Sequence, residues 1–172
     1  MDMDIVIEDD RWRAAGLEAA AERAVSATLA HLGVESPGEL VLLACDDARI
    51  AELNETFRGK AAPTNVLSWP AAERAASEPG ARPARPATRE DLGDLAISFD
   101  TCRREAETGG LPLLQHATHL LVHGTLHLLG YDHENDADGD LMESVEVAIL
   151  EGLGLPNPYD TDGGGPVSDG KD

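Results

Sequence analysis

The segment from Pro112 to Leu129 reads as a helix that turns almost wholly apolar toward its end, yet it carries imidazoles at His116, His119, His123 and His127. A neutral imidazole among leucines needs a partner to offset its desolvation. Any fold that buries this helix must therefore give its histidines something to bind. Residues four apart share one helix face, so His123 and His127 can aim two nitrogens at one point. Gly130 can take the left-handed conformation that ends a helix and so turn His133 back toward that pair. The straight-helix triplet of His119, His123 and His127 would instead spread its donors over about 12 Å of axis at roughly 1.5 Å per residue. That is too far for a zinc ion that holds each nitrogen at about 2.0–2.1 Å. The spacing predicts a site at His123, His127 and His133 with a fourth position open, the catalytic rather than the structural pattern. His119 is left behind the metal, on the substrate side of the site, or as a satisfied structural histidine, and His116 and His31 are read as structural.

The frame H-x-x-x-H-x-x-G-x-x-H is also that of metzincin proteases, which place a glutamate directly after the first histidine as general base. Here that position is Gly124, so peptide hydrolysis would lack its proton carrier. Downstream, Glu134 to Gly139 imitates the start of a calcium-binding EF-hand loop, but the twelfth position, which needs a bidentate glutamate, is Val145. The acidic run instead predicts a helix start, with Asp140 as N-cap and Glu143 at the capping-box position.

A chain of 172 residues, 42% of them hydrophobic, suffices for one domain with a true core. The expected organisation is a single catalytic domain over 1–155, with an exposed loop insertion at 71–91 and a disordered tail at 156–172. The acidic start, Met1-Asp2-Met3-Asp4, lacks the features of a signal peptide, and no apolar run reaches spanning length. A cytoplasmic protein that does not engage membranes is expected. Cys45 and Cys102 fit no C-x-x-C motif and read as reduced packing residues. The formal charge of −20 repels polyanions, so activity on RNA would need a local positive patch. The same acidity suits basic partners, ribosomal proteins among them, or serves solubility alone.

Along the chain, Ile5 to Ile7 predicts a first strand and Trp12 to Leu32 one amphipathic helix, ended by Gly33, with Leu17, Ala21, Ala24, Thr28 and Leu32 on one stripe. Leu40 to Ala44 is a continuous apolar strand. Asp46 can cap a helix in which Ile50, Leu53 and Phe57 share a face and which stops at Arg58-Gly59-Lys60. Val66 to Trp69 reads as a third strand, and Leu95, Ile97 and Phe99 alternate as a fourth. Pro79, Pro83 and Pro86 mark the loop between them, whose Arg74, Arg82, Arg85 and Arg89 read as solvated more than as phosphate ligands. Helices over about Asp100 to Glu107, Pro112 to Leu129 and Leu141 to Leu153 complete the pattern. The fold class expected is α+β: one mixed four-stranded sheet covered by about five helices, with the metal site at the end of a central histidine-bearing helix.

The run His123-Gly124-Thr125-Leu126-His127-Leu128-Leu129-Gly130-Tyr131-Asp132-His133 resembles the signature of the YbeY family of metal-dependent endoribonucleases in ribosomal RNA maturation. Two further stretches carry the resemblance, Leu53 to Lys60 continuing through Pro63 to Pro70, and Leu92 to Ser98. The resemblance implies an α+β fold, one Zn2+ ion held by His123, His127 and His133, and a part for Arg58 in cleaving single-stranded ribosomal RNA. Arg58 has its own rationale, since a permanently charged planar fork fits phosphate oxygens; taken alone it would read as a cation at a helix C-terminus. Asn65 and Trp69 stand where the family usually has aspartate and phenylalanine, which puts any charge pairing at position 65 in doubt. The leading expectation is an endoribonuclease of ribosomal RNA maturation and ribosome quality control. The rivals are a ribosome-assembly factor with a structural zinc and, further off, a zinc metalloprotease.

Overall fold

The computed structural model describes residues 2–159, and these form one four-stranded sheet and six helices. Strand β1 is Asp2–Ile7, β2 Glu39–Cys45, β3 Val66–Pro70 and β4 Gly93–Ser98. The spatial order is β1-β2-β4-β3. The β1–β2 and β2–β4 pairs are parallel, whereas β3 runs antiparallel to β4. The expected mixed sheet is therefore present, and β3 ends it on the side of the histidine cluster.

Both faces of β2 are apolar because both are covered. Leu40, Leu42 and Ala44 join the main core, while Cys45, with Leu43 packed alongside, joins a smaller cluster with Ile50, Leu67 and Ala96 on the other face. Helix α3, Asp47–Arg58, covers that second face. Helices α2, Leu17–His31, and α5, Leu113–Leu128, pack on the first, with α4, Phe99–Gly109, and α6, Asp136–Gly152, beside α5. The central position of β4 corrects the alternation expected for it. Leu95, Ala96, Ile97 and Ser98 are all buried, and Phe99 opens α4 rather than ending the strand.

Two boundaries differ from expectation. The first helix is broken at Gly16, whose φ of 90° is left-handed, into α1, Asp10–Ala15, and α2. The break lets Trp12 turn into the core, where its Nε1–H donates to the carbonyls of Cys45 at 3.2 Å and Ile97 at 3.3 Å. The last helix starts five residues early, because Asn135 and not Asp140 is the N-cap, its side chain accepting from the Asp138 N–H at 2.9 Å. Asp46 does cap α3 as expected, accepting from the Arg49 N–H.

The segment 71–91 contains no helix or strand and is mostly exposed, but Arg74 is not solvated as expected. Its side chain is 5% exposed and donates to the carbonyls of Leu128 and Asp91 and to the Glu90 carboxylate, at 2.7 to 2.9 Å. A buried guanidinium so anchored ties the loop to the end of α5. Both cysteines are buried free thiols, as expected, and burial pushes Cys45 up to about 12. No helix among the described residues is long and apolar enough to cross a membrane. Of the tail expected from 156 onward, residues 160–172 lie outside the described part, while Tyr159 within it packs on α6 through a hydrogen bond to Glu146.

Candidate metal centre

Helix α5 is buried along most of its length and ends where the chain must turn sharply. Gly130 makes that turn with φ of 99°, and a Cβ there would lie 2.4 Å from the Arg74 carbonyl oxygen. Only glycine fits both the left-handed backbone and the approach of the loop. The turn returns His133 to the helix end. The ring centroids of His123 and His127 are 4.6 Å apart, those of His127 and His133 5.3 Å, and those of His123 and His133 6.0 Å. One donor atom from each of the three lies within 4.8 Å of the others, a group able to hold a metal ion.

The hydrogen bonds behind the rings decide where their protons sit. The His127 Nδ1–H donates to the Tyr131 carbonyl at 2.9 Å. The His123 Nδ1–H donates to one oxygen of the Glu146 carboxylate. With both protons so committed, the two Nε2 atoms face each other at 3.1 Å as lone pairs. Two lone pairs that close repel unless a cation lies between them. Nitrogens on a tetrahedral ion with bonds of about 2.0–2.1 Å sit roughly 3.4 Å apart, so the residues present fit a metal. Burial, reinforced by the neighbouring His123, lowers His127 to about 4, which keeps it in the neutral form a ligand needs.

Glu146 is the residue the sequence did not reveal. It is fully buried on α6 and collects three donors. The Nε2–H of His119 reaches its Oε1 at 3.2 Å, the Tyr159 hydroxyl donates to the same oxygen, and His123 takes Oε2. Burial alone would raise this carboxyl, but the hydrogen bonds and charges of His119 and His123 outweigh it and hold the group well below the ordinary carboxylate range. A carboxylate behind a ligating imidazole fixes its tautomer and orientation. This arrangement settles His119: it lies behind the site, on the carboxylate that orients His123. A signal was present in the sequence, because Glu146 falls on the apolar stripe of Met142, Val145 and Ile149 where a solvated glutamate does not belong.

The remaining histidines are outside the cluster. His116 bonds through Nε2 to Glu105 at 2.8 Å, and His31 is exposed at the end of α2. Asn65 is buried and donates from Nδ2 to the same Glu105 oxygen at 3.0 Å, while its Oδ1 accepts from the Val66 N–H. An aspartate at 65 would set two carboxylates against each other, so the amide is the side chain this neighbourhood requires.

Against His127 of the cluster lies an open cleft of about 370 Å³. Its walls include Arg58 from the last turn of α3, Ser68 from β3, Glu73 and Arg74 from the loop, His127 from α5, and Asp132. Arg58 and His127 thus share one cavity although they come from opposite faces of the sheet. Gly124, next to His123, is turned the other way: a Cβ there would lie 2.9 Å from Leu95 Cδ2 and 3.5 Å from Val66 Cγ2. The helix rests on the sheet at the very position where metzincins carry their base.

Residues 4–154 match the family model described as Endoribonuclease YbeY. A protein of that name from Cereibacter sphaeroides is 58% identical over 91% of this chain and 98% of its own length. Another from Paracoccus denitrificans is 59% identical over 91% and 89% respectively. A solution structure of a Thermotoga maritima protein, 19% identical, superposes with a TM-score of 0.54 over 88% of this chain and 91% of that one, which speaks for the fold. The three-histidine cluster, the cleft that joins it to Arg58 and the match along nearly the whole described chain lead to one assignment: the chain belongs to the YbeY endoribonuclease family.

Proposed function

We propose that this protein is a zinc-dependent endoribonuclease that cuts single-stranded ribosomal RNA in maturation and ribosome quality control in the cytoplasm, with zinc on His123, His127 and His133. The observation that carries this reading is the pair of Nε2 lone pairs 3.1 Å apart on His123 and His127, with His127 lining a cleft that it shares with Arg58. Zinc bound there supplies a Lewis acid for a phosphoryl oxygen and lowers the pKa of a water it holds. The rest is the work of the chain. Glu146 and the Tyr131 carbonyl hold the protons of His123 and His127 on Nδ1, away from the cleft. Arg58 grips the scissile phosphate through its planar fork and neutralises charge as the phosphorus is attacked.

Phosphodiester chemistry needs no base at position 124, whereas a protease would, and position 124 faces Leu95 and Val66 on the sheet. The acidic surface makes RNA capture a local matter of Arg58 and the metal, and it favours docking on basic ribosomal proteins. The attacking group is either water or the RNA 2′-hydroxyl. A 2′,3′-cyclic phosphate at the product end identifies the hydroxyl, whereas a 5′-phosphate on one product with a free 3′-hydroxyl on the other identifies water.

The test combines metal analysis with cleavage of a defined single-stranded RNA by the parent, His127→Ala and Arg58→Ala. The parent should hold one zinc per chain, Arg58→Ala should keep it and His127→Ala should lose it. Cleavage should fall by about 100-fold or more in both variants, the scale for removing a group that stabilises transition-state charge. A folded His127→Ala protein that cuts RNA at the parent's rate refutes the reading.

A further inference from the structure

Phe57 is the most exposed large apolar side chain among the described residues, 61% open against 43% for Val6, the one other of that kind. The same helix places Ile50 in the small core cluster and packs Leu53 against it, so the face expected to bury all three stops short of Phe57. The ring is nonetheless held. It stands edge-on to Trp69, with centroids 5.4 Å apart and planes at 64°. Both aromatics are one residue away from cleft-lining positions: Arg58 follows Phe57, and Ser68 and Pro70 flank Trp69. Lys60, one of only two lysines in the chain, is exposed two residues beyond Arg58. In a chain with 13 basic against 33 acidic residues, two cations and an open aromatic thus fall within four residues, with Arg58 among them on the cleft wall.

That combination is the one single-stranded nucleic acid requires, cations for the backbone and an aromatic face for a base. We propose that Phe57, braced by Trp69, is the stacking platform for an unpaired nucleobase next to the phosphate in the cleft, with Lys60 on the adjoining backbone. The inference rests on the RNA-cleaving reading and extends it to a subsite. Because Trp69 holds the ring before the ligand arrives, little further ordering is needed on binding. The platform also gives a physical basis for single-strand preference, since a base stacked in a duplex has no free face to offer. Every base has such a face, so the subsite tolerates any base identity.

The experiment uses the zinc-loaded full chain and a short single-stranded RNA in which each nucleotide in turn is replaced by an abasic ribose. Affinity and turnover are measured for the parent, Phe57→Ala and Phe57→Tyr. In the parent, one abasic position beside the cut bond should weaken binding by about tenfold. Phe57→Ala should weaken binding of intact RNA by about the same factor and be indifferent to that abasic position, while Phe57→Tyr should behave as the parent. Phe57→Ala with parental affinity, or with the abasic penalty unchanged, overturns the platform and leaves the nuclease reading standing. Loss of ribosomal-protein binding without loss of RNA affinity overturns it in favour of a protein partner. A parent that neither binds nor cuts RNA overturns both.

Discussion

Replacing Glu146 by glutamine preserves volume but removes one of the two acceptors on which three donors converge. His119 and Tyr159 share Oε1, and His123 takes Oε2. An amide has a single acceptor oxygen, and its NH2 group must face at least one of those donors. If the amide nitrogen faces His123, the imidazole must move its proton to Nε2, the atom that faces His127 at 3.1 Å, and the lone pair needed for metal is gone. If the amide oxygen faces His123, His119 and Tyr159 lose their acceptor inside the core. Hydrogen bonds to charged groups contribute about 1.5–3 kcal/mol each, and at least one such bond is lost in either arrangement, so metal-free Glu146→Gln should be less stable by at least about 1.5–3 kcal/mol. Loss of the partner behind a ligating histidine typically lowers metal affinity about 10- to 100-fold. Urea unfolding of the metal-free protein reads the first quantity, and zinc titration against a competing chelator reads the second. Tyr159→Phe removes one donor from the carboxylate and leaves both carboxylate oxygens in place, so it should cost about 1.5–3 kcal/mol and leave zinc affinity close to the parent's. A Glu146→Gln protein with parental unfolding midpoint and zinc affinity would refute the role assigned to this carboxylate.

Acidity should destabilise the metal-free protein in a defined window. His127 is lowered from 6.5 to about 4, so below pH 6.5 the unfolded chain takes up a proton that the native state refuses until about pH 4. The His127 contribution is full above that window and falls by about 3 kcal/mol across it, and the depressed Glu146 carboxyl extends the loss to lower pH, as urea midpoints at stepped pH will show. Gly130→Ala forces a left-handed alanine against the Arg74 carbonyl. It should lower zinc affinity by displacing His133 and expose the 71–91 segment to protease, both measurable beside the parent. Cys45 and Cys102 should resist thiol reagents in the native state and react fully in denaturant, since burial raises both thiols; fast native labelling would contradict their burial.

Much of the fold was legible where a residue's local chemistry allowed a single outcome. Asp46 had one helix to cap, and Leu40 to Ala44 had no polar face and so belonged between two layers. The histidine spacing was legible for the same reason, since helix geometry and Gly130 left one way to gather three donors. Where several residues offered the same chemistry, the sequence was silent. Asn135, Asp136, Asp138 and Asp140 can each cap a helix, and the start at Asn135 is set by tertiary contacts such as the Gly80 N–H on the Asp138 carboxylate. Gly16 sits in an unbroken apolar rhythm, and the break there serves Trp12, whose hydrogen-bond partners lie 33 and 85 residues away. Arg74 resembled its neighbours Arg82, Arg85 and Arg89 in composition. Only the three-dimensional path of the loop put it under the end of α5.

The close seat of Gly124 on Leu95 bears on how far two catalytic repertoires built on the same histidine spacing can interconvert. Leu95 belongs to β4, one of the two inner strands of the sheet, and it is buried at 1% exposure. A glutamate introduced after the first histidine would press its Cβ to 2.9 Å from Leu95 Cδ2 and start its side chain toward Leu95 and Val66, so Leu95 would have to move aside before any proton could be carried. A change of chemistry at this site therefore involves the strand beneath the helix as well as the helix itself. The distance between a helix and a strand, more than the ligands themselves, keeps this scaffold from sampling peptide hydrolysis one substitution at a time.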